Sequence, residues 1–176
     1  NVTINTASGA GIIYVNGPGT LAAQGDLTTD GSTLTNGTTS GTAAISLTGG
    51  NTQSLNINKL PMMNALTINK SGGVATLARN LAVNVVAGQD LTITAGTLDL
   101  AGYTLTVGDV LTNDGTITAS GAGTPIAAGT LTSTVATSQV RYTGNAADGA
   151  VTVKVGTYGK LEVDNPGTTF TLGGAA

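Results

Sequence analysis

The sequence predicts an all-β chain wound as a right-handed parallel β-helix, a solenoid of short strands. Three observations predict it. Apolar residues recur with period two, as in Leu66-Thr-Ile68, Leu91-Thr-Ile93, Leu98-Asp-Leu100, Leu105-Thr-Val107, Val151-Thr-Val153 and Leu161-Glu-Val163, which is the spacing of a strand with one face buried. From Leu91 to Ile117 these pairs return about every six or seven residues, closer than the roughly 8–12 of hairpin sandwiches. Only short Gly-, Asn- and Asp-rich corners separate them, and such residues turn the backbone at little cost.

The elements follow in order. Asn1-Val-Thr-Ile-Asn5 reads as a strand from the start, and the Leu/Ile/Val pairs continue to Leu172. No window carries an apolar i, i+3, i+4, i+7 pattern with caps, so helix is not expected. The interval from Leu98 to Ile117 fits one coil turning three corners and stacking its apolar residues on the coils above and below. Coils of that length would number eight or nine, about 40 Å at roughly 4.8 Å per coil. The alternative is an antiparallel β-sandwich of the kind pilus-like subunits use. It requires hairpins, for which Asn36-Gly37 and Asp114-Gly115 are the best dipeptides.

Composition narrows the function. Of 176 residues 33 are Thr and 27 Gly, and 9% are charged against about 25% in an ordinary soluble domain. With no His and no Cys, the chain has no imidazole base, thiol nucleophile, thiolate metal site or disulfide. Six cations against nine anions do not make the basic face that nucleic acid needs. No run of about 18 apolar residues is present to span a membrane as a helix. A chain opening on Asn1 without a signal peptide is expected to be processed or cut from something larger.

Internal similarity suggests about two copies of a long repeat of 84–95 residues within a single domain, 1–176. An offset of 95 lays 45–77 on 140–172 with seven identities, among them Lys59/Lys154, Leu66/Leu161 and Leu77/Leu172. An offset of 84 lays 20–33 on 104–117, aligning Leu27 with Leu111 and Asp30 with Asp114. The two offsets are unequal, and the Gly/Ala/Pro/Thr-rich stretch from Ser120 to Gly129 is expected to absorb the difference.

The run Ala65-Leu-Thr-Ile-Asn-Lys-Ser-Gly-Gly-Val-Ala-Thr-Leu77 and the run Asp90–Val107 followed by Leu111-Thr-Asn-Asp-Gly-Thr-Ile117 resemble repeats of very large secreted bacterial surface proteins. In this the chain is similar to filamentous-haemagglutinin-like β-solenoid adhesins. The resemblance implies an elongated, non-catalytic surface stalk and brings no catalytic residues with it. Lys59-Leu-Pro-Met-Met-Asn64 departs from the pattern where a polar corner is expected.

The candidate sites are few. Gly25-Asp-Leu-Thr-Thr-Asp-Gly31 and Gly108-Asp-Val-Leu-Thr-Asn-Asp-Gly115 each read as a Gly-bounded turn with two carboxylates. Asp26, Asp30, Asp109 and Asp114 would there be calcium ligands, although neither loop matches a known calcium repeat. Against this stands simple corner chemistry, in which Asp and Asn bond their own main chain. Asp99, Asp109 and Asp114 are the carboxylates that a polysaccharide-degrading enzyme would have to cluster, with no cation between residues 80 and 140 to help them. Tyr14, Tyr103, Tyr142, Tyr158 and Phe170 are too scattered for a sugar-stacking platform, and Tyr142 falls on a core position. Asn1-Val-Thr3 and Asn36-Gly-Thr38 fit the glycosylation sequon. Thr spacing is too uneven to suggest an identical ladder in every coil. The expectation is an extracellular or cell-surface structural module, a stalk or filament subunit meeting neighbouring repeats or further copies through terminal strand edges. A glycan- or calcium-binding adhesin module is the alternative, with no other cofactor.

Overall fold

A computed structural model describes residues 2–5, 12–14, 19–30, 33–35, 44–57, 65–83, 90–144 and 149–173. Chain order is a repeating circuit of three faces. Strand β1 (Val2–Asn5) lies on the first face. The circuit then runs through β2 (Ile12–Tyr14) on the third face, β3 (Thr20–Ala23) on the second and β4 (Leu27–Asp30) on the first, and repeats as β5 (Thr33–Thr35), β6 (Ala44–Gly49) and β7 (Gln53–Ile57). Strand β8 (Ala65–Leu77) bends, its front half on the second face and its back half on the first. Next come β9 (Leu81–Val83) with β10 (Leu91–Asp99), β11 (Leu105–Asn113) with β12 (Thr116–Ala119), and β13 (Ile126–Thr132) with β14 (Gln139–Tyr142). Strands β15 (Val151–Val153), β16 (Lys160–Val163) and β17 (Phe170–Leu172) complete the described chain.

Every pairing among the described residues is parallel, the strands stack as a β-solenoid, and none of these residues is helical. That removes the antiparallel sandwich. Asp114-Gly115 is not a hairpin but the corner between β11 and β12, which lie on different faces; Asn36-Gly37 falls outside the described residues. No helix among the described residues is long and apolar enough to cross a membrane.

The core consists of stacked columns, one apolar residue per turn. On the first face Ala75, Leu98, Ile117, Val140 and Leu161 are successive partners. On the second they are Leu21, Ile45, Leu66, Leu91, Leu111 and Leu131, and on the third Leu81, Leu105 and Ile126. Most of these side chains are fully buried. The step from Leu98 to Ile117 is one turn, as expected, but it is a short one: the step from Leu27 to its partner Leu55 is nearly half as long again. Longer turns make fewer of them than eight or nine full coils: eight strands stack on the first face, from β1 to β16, and the seven steps between them span roughly 34 Å of axis.

Uneven turns leave the columns in register because the corners absorb the difference. Between β8 and β10 the register slips twice around Ala95, where the front halves end and the back halves begin. Outward-facing Ser46, Thr67, Thr92, Thr112 and Thr132 therefore do stack in one column, despite their unequal spacing along the chain. The 95-residue offset, by contrast, joins residues of different faces: Leu66 lies opposite Leu91, and Leu161 opposite Val140. Within Ser120–Gly129, Ile126–Ala128 pair with Leu105–Val107 on the third face.

Candidate functional site

The two predicted calcium loops are largely strand. Leu27–Asp30 is β4, with Leu27 paired to Val2 and Leu55, so Asp26 sits at the corner before the strand and Asp30 at its far end, about 13 Å along an extended chain. Asp109 lies at the bend of β11 and Asp114 just beyond its end, about 16 Å away by the same rise. Neither pair is gathered at one corner. Asp99, Asp109 and Asp114 occupy three different corners: first to third face, third to second, and second to first. Among the described residues no three His, Cys, Asp or Glu come together in a way that could hold a metal.

The corner carboxylates instead join successive turns. At a corner the ladder is interrupted, and a backbone amide there needs another acceptor. Asp26 Oδ1 accepts the Ser54 N–H at 2.8 Å, Asp90 Oδ1 that of Val110 at 3.2 Å, and Asn80 Oδ1 that of Thr104 at 2.9 Å. Asp114 takes both the N–H and the hydroxyl of Thr134, each at 2.8 Å, and these bonds hold its carboxyl below the ordinary carboxylate range. Asp99 alone of these follows the expected local pattern, accepting the N–H of Ala101, whose φ is +48°.

A polar pair that the sequence reading passed over lies inside the corner between the second and first faces. Gln53 is 0% exposed and occupies the column of Ala75 and Leu98. Its Nε2 donates to the carbonyls of Ala23 at 3.0 Å and Gly25 at 2.7 Å. Lys70, 2% exposed, sends its Nζ to the Asn51 carbonyl at 2.7 Å and to Gln53 Oε1 at 2.5 Å. Both of these acceptors are neutral, and burial pushes the amine below its ordinary pKa. The signal was present: the alternation Leu66, Ile68 points Lys70 inward, and Leu55, Ile57 do the same for Gln53.

On the third face a groove of about 370 Å³ opens where β15 leaves the β13 ladder, bridging at Gly123 and pairing with β17. Ile126, Ala128, Thr152 and Val155 line it, Lys154 Nζ reaches the Gly129 carbonyl at 3.4 Å, and no aromatic ring is in its wall. The aromatics elsewhere pack or sit apart: Tyr142 is buried, Tyr158 and Phe170 lean on the core, and Tyr103 is exposed at a corner. The sequons and Lys59–Asn64 lie wholly or partly outside the described residues, as does the side chain of Tyr14.

The last turn carries the core columns into solvent. Leu161 follows Ile117 and Val140, and Val163 follows Ala119 and Tyr142. Leu172 follows Val153. Their predecessors are at most 2% exposed, whereas Leu161, Val163 and Leu172 are 39, 50 and 75% exposed. Around this end Arg141 pairs with Glu162 at 3.0 Å and with Asp164, and Lys160 pairs with Glu162 at 3.0 Å. No family model, curated protein or solved structure matches the chain.

Proposed function

We propose that the chain is a non-catalytic structural module of an extracellular or cell-surface stalk or filament, whose core is continued by further coils stacked on its open end. The observation that carries this reading is the exposure of Leu161, Val163 and Leu172 at positions that are buried in every described turn before them. A solenoid buries its core only by stacking, and an open column end is a surface to which another β-coil adds. The corner carboxylates support the non-catalytic part, because they lie at separate corners and several are engaged by backbone amides. Low charge and abundant Thr suit a long β-surface solvated by hydroxyls, as a fibre presents.

Sedimentation and negative-stain microscopy over a range of protein concentrations test the reading. Rods that lengthen without widening are expected, and Val163→Asp together with Leu172→Asp should stop the lengthening while leaving the circular dichroism spectrum β-rich. Concentration-independent single particles, or lengthening that the double substitution leaves unchanged, would overturn end-to-end stacking.

A further inference from the structure

We propose that Lys70 and Gln53 condense into an intramolecular isopeptide bond that staples two successive turns. Three features converge on this pair. The amine and the carboxamide are in direct contact, Nζ to Oε1 at 2.5 Å, and both side chains are held by backbone carbonyls on neighbouring turns. Both are buried, so water is kept from competing for the reaction. And a cation whose named acceptors are neutral carbonyls is costly in a dry interior, a cost that vanishes once its charge departs.

The reaction is an aminolysis and needs no oxidant or cofactor. Burial favours the neutral amine, which is the nucleophilic form. The Nζ lone pair adds to Cδ of Gln53, forming the new C–N bond and moving an electron pair to Oε1. When that pair returns, the Cδ–Nε2 bond breaks, and Nε2 takes the proton released by Nζ to leave as ammonia. Lysine ammonium plus carboxamide thus become a secondary amide plus an ammonium ion, and the positive charge leaves the core with the departing nitrogen. Two carbonyls, those of Ala23 and Gly25, already accept from Nε2 and are placed to hold the ammonia as it forms. Fixed contact replaces a bimolecular encounter, which is where the rate of an otherwise slow aminolysis would come from.

The test is the mass of the purified full-length chain and its tryptic map after denaturation. The expected mass is that of the sequence less one ammonia. Trypsin should fail to cut after Lys70, and the peptide ending at Lys59 should remain joined to the one ending at Arg79, with fragment ions placing the junction at Gln53 and Lys70. Lys70→Arg and Gln53→Ala should each restore the full mass expected for their own sequences. The wild-type map decides even if these variants fail to fold. A chain of full mass cut normally after Lys70 would overturn the proposal. So would a chain short by one ammonia with its two peptides separate, since the loss then lies at another amide.

Discussion

The carboxylate of Asp114 accepts both the backbone N–H and the hydroxyl of Thr134, a residue one turn further along the solenoid. The pair does at a corner what the ladder does along a face: it supplies an acceptor to an amide that has lost its regular partner. A side chain that looked like a metal ligand is thus part of the interturn bonding.

Asp114→Ala should therefore lower the urea midpoint at neutral pH, and Asp114→Asn, which keeps an acceptor for the Thr134 amide, should lower it less. The pH dependence has a definite sign. The folded carboxyl titrates below its unfolded value, so its contribution is present above the ordinary carboxylate range and is lost as pH falls through the depressed value. Urea midpoints of wild type and Asp114→Ala should converge as pH falls below the ordinary carboxylate range; a constant difference across pH would show that the charge is not involved.

Gly115 and Gly102 should respond differently to alanine. A Cβ on Gly115 would stand 2.5 Å from the Gly96 carbonyl oxygen and 2.8 Å from Ile93 Cγ2, so turns must separate. That overpacking should cost about 1–3 kcal/mol or more. A Cβ on Gly102 meets nothing within 4 Å, and only its φ of +85° is unfavourable, a cost of about 1–2 kcal/mol. Equal losses in denaturant melts would mean that close stacking at the Gly115 corner does not limit stability.

Within one core column, position should decide the cost of truncation. Leu98→Ala, at 0% exposure between Ala75 and Ile117, should lose about 2–5 kcal/mol. Leu161→Ala, at the solvent end of the same column, should lose about 1 kcal/mol or less when the chain is dilute. Chemical denaturation at low protein concentration measures both, and a Leu161 loss as large as that of Leu98 would contradict an open end.

Alkali should unfold the C-terminal turns. Burial raises the phenols of Tyr142 and Tyr158 above the ordinary value; the Tyr142 hydroxyl takes the Lys154 N–H at 3.1 Å, and that of Tyr158 donates to the Lys154 carbonyl. A raised folded pKa means that the contribution is intact below about pH 10 and is lost as pH climbs above it. Ultraviolet titration should show these two tyrosines ionising together with loss of β-structure, and Tyr158→Phe should move that step. Smooth ionisation of all four tyrosines near pH 10 in folded protein would refute it.

How much of this was legible in the sequence varies residue by residue. Period two located the strands around Leu66, Leu91 and Leu105, and the Leu98–Ile117 spacing gave a true turn, because inward residues must alternate and must stack. Asp26-Leu-Thr-Thr-Asp30 misled: its flanking Asp and Gly look like a corner, and only Val2 and Leu55, far off in sequence, make Leu27 part of a strand. The 95-residue offset misled for a related reason, since a short apolar-polar-apolar unit fits any of the three faces equally well. Gln53 and Lys70 were readable from alternation, but polar letters at inward positions break the pattern being sought. What the sequence cannot display is corner geometry, and the roles of the aspartates and the register of the Thr column depend on it.

That column has a consequence for how such a molecule measures distance. Between one rung and the next the chain spends as little as the stretch from Thr92 to Thr112 or as much as that from Thr67 to Thr92, yet the rungs stay a strand spacing apart because backbone hydrogen bonds set the interval. Residues added or lost at a corner change the girth locally and leave the graduation untouched. The solenoid is a ruler marked in turns rather than in residues, and its length can be conserved while its sequence lengthens or shortens.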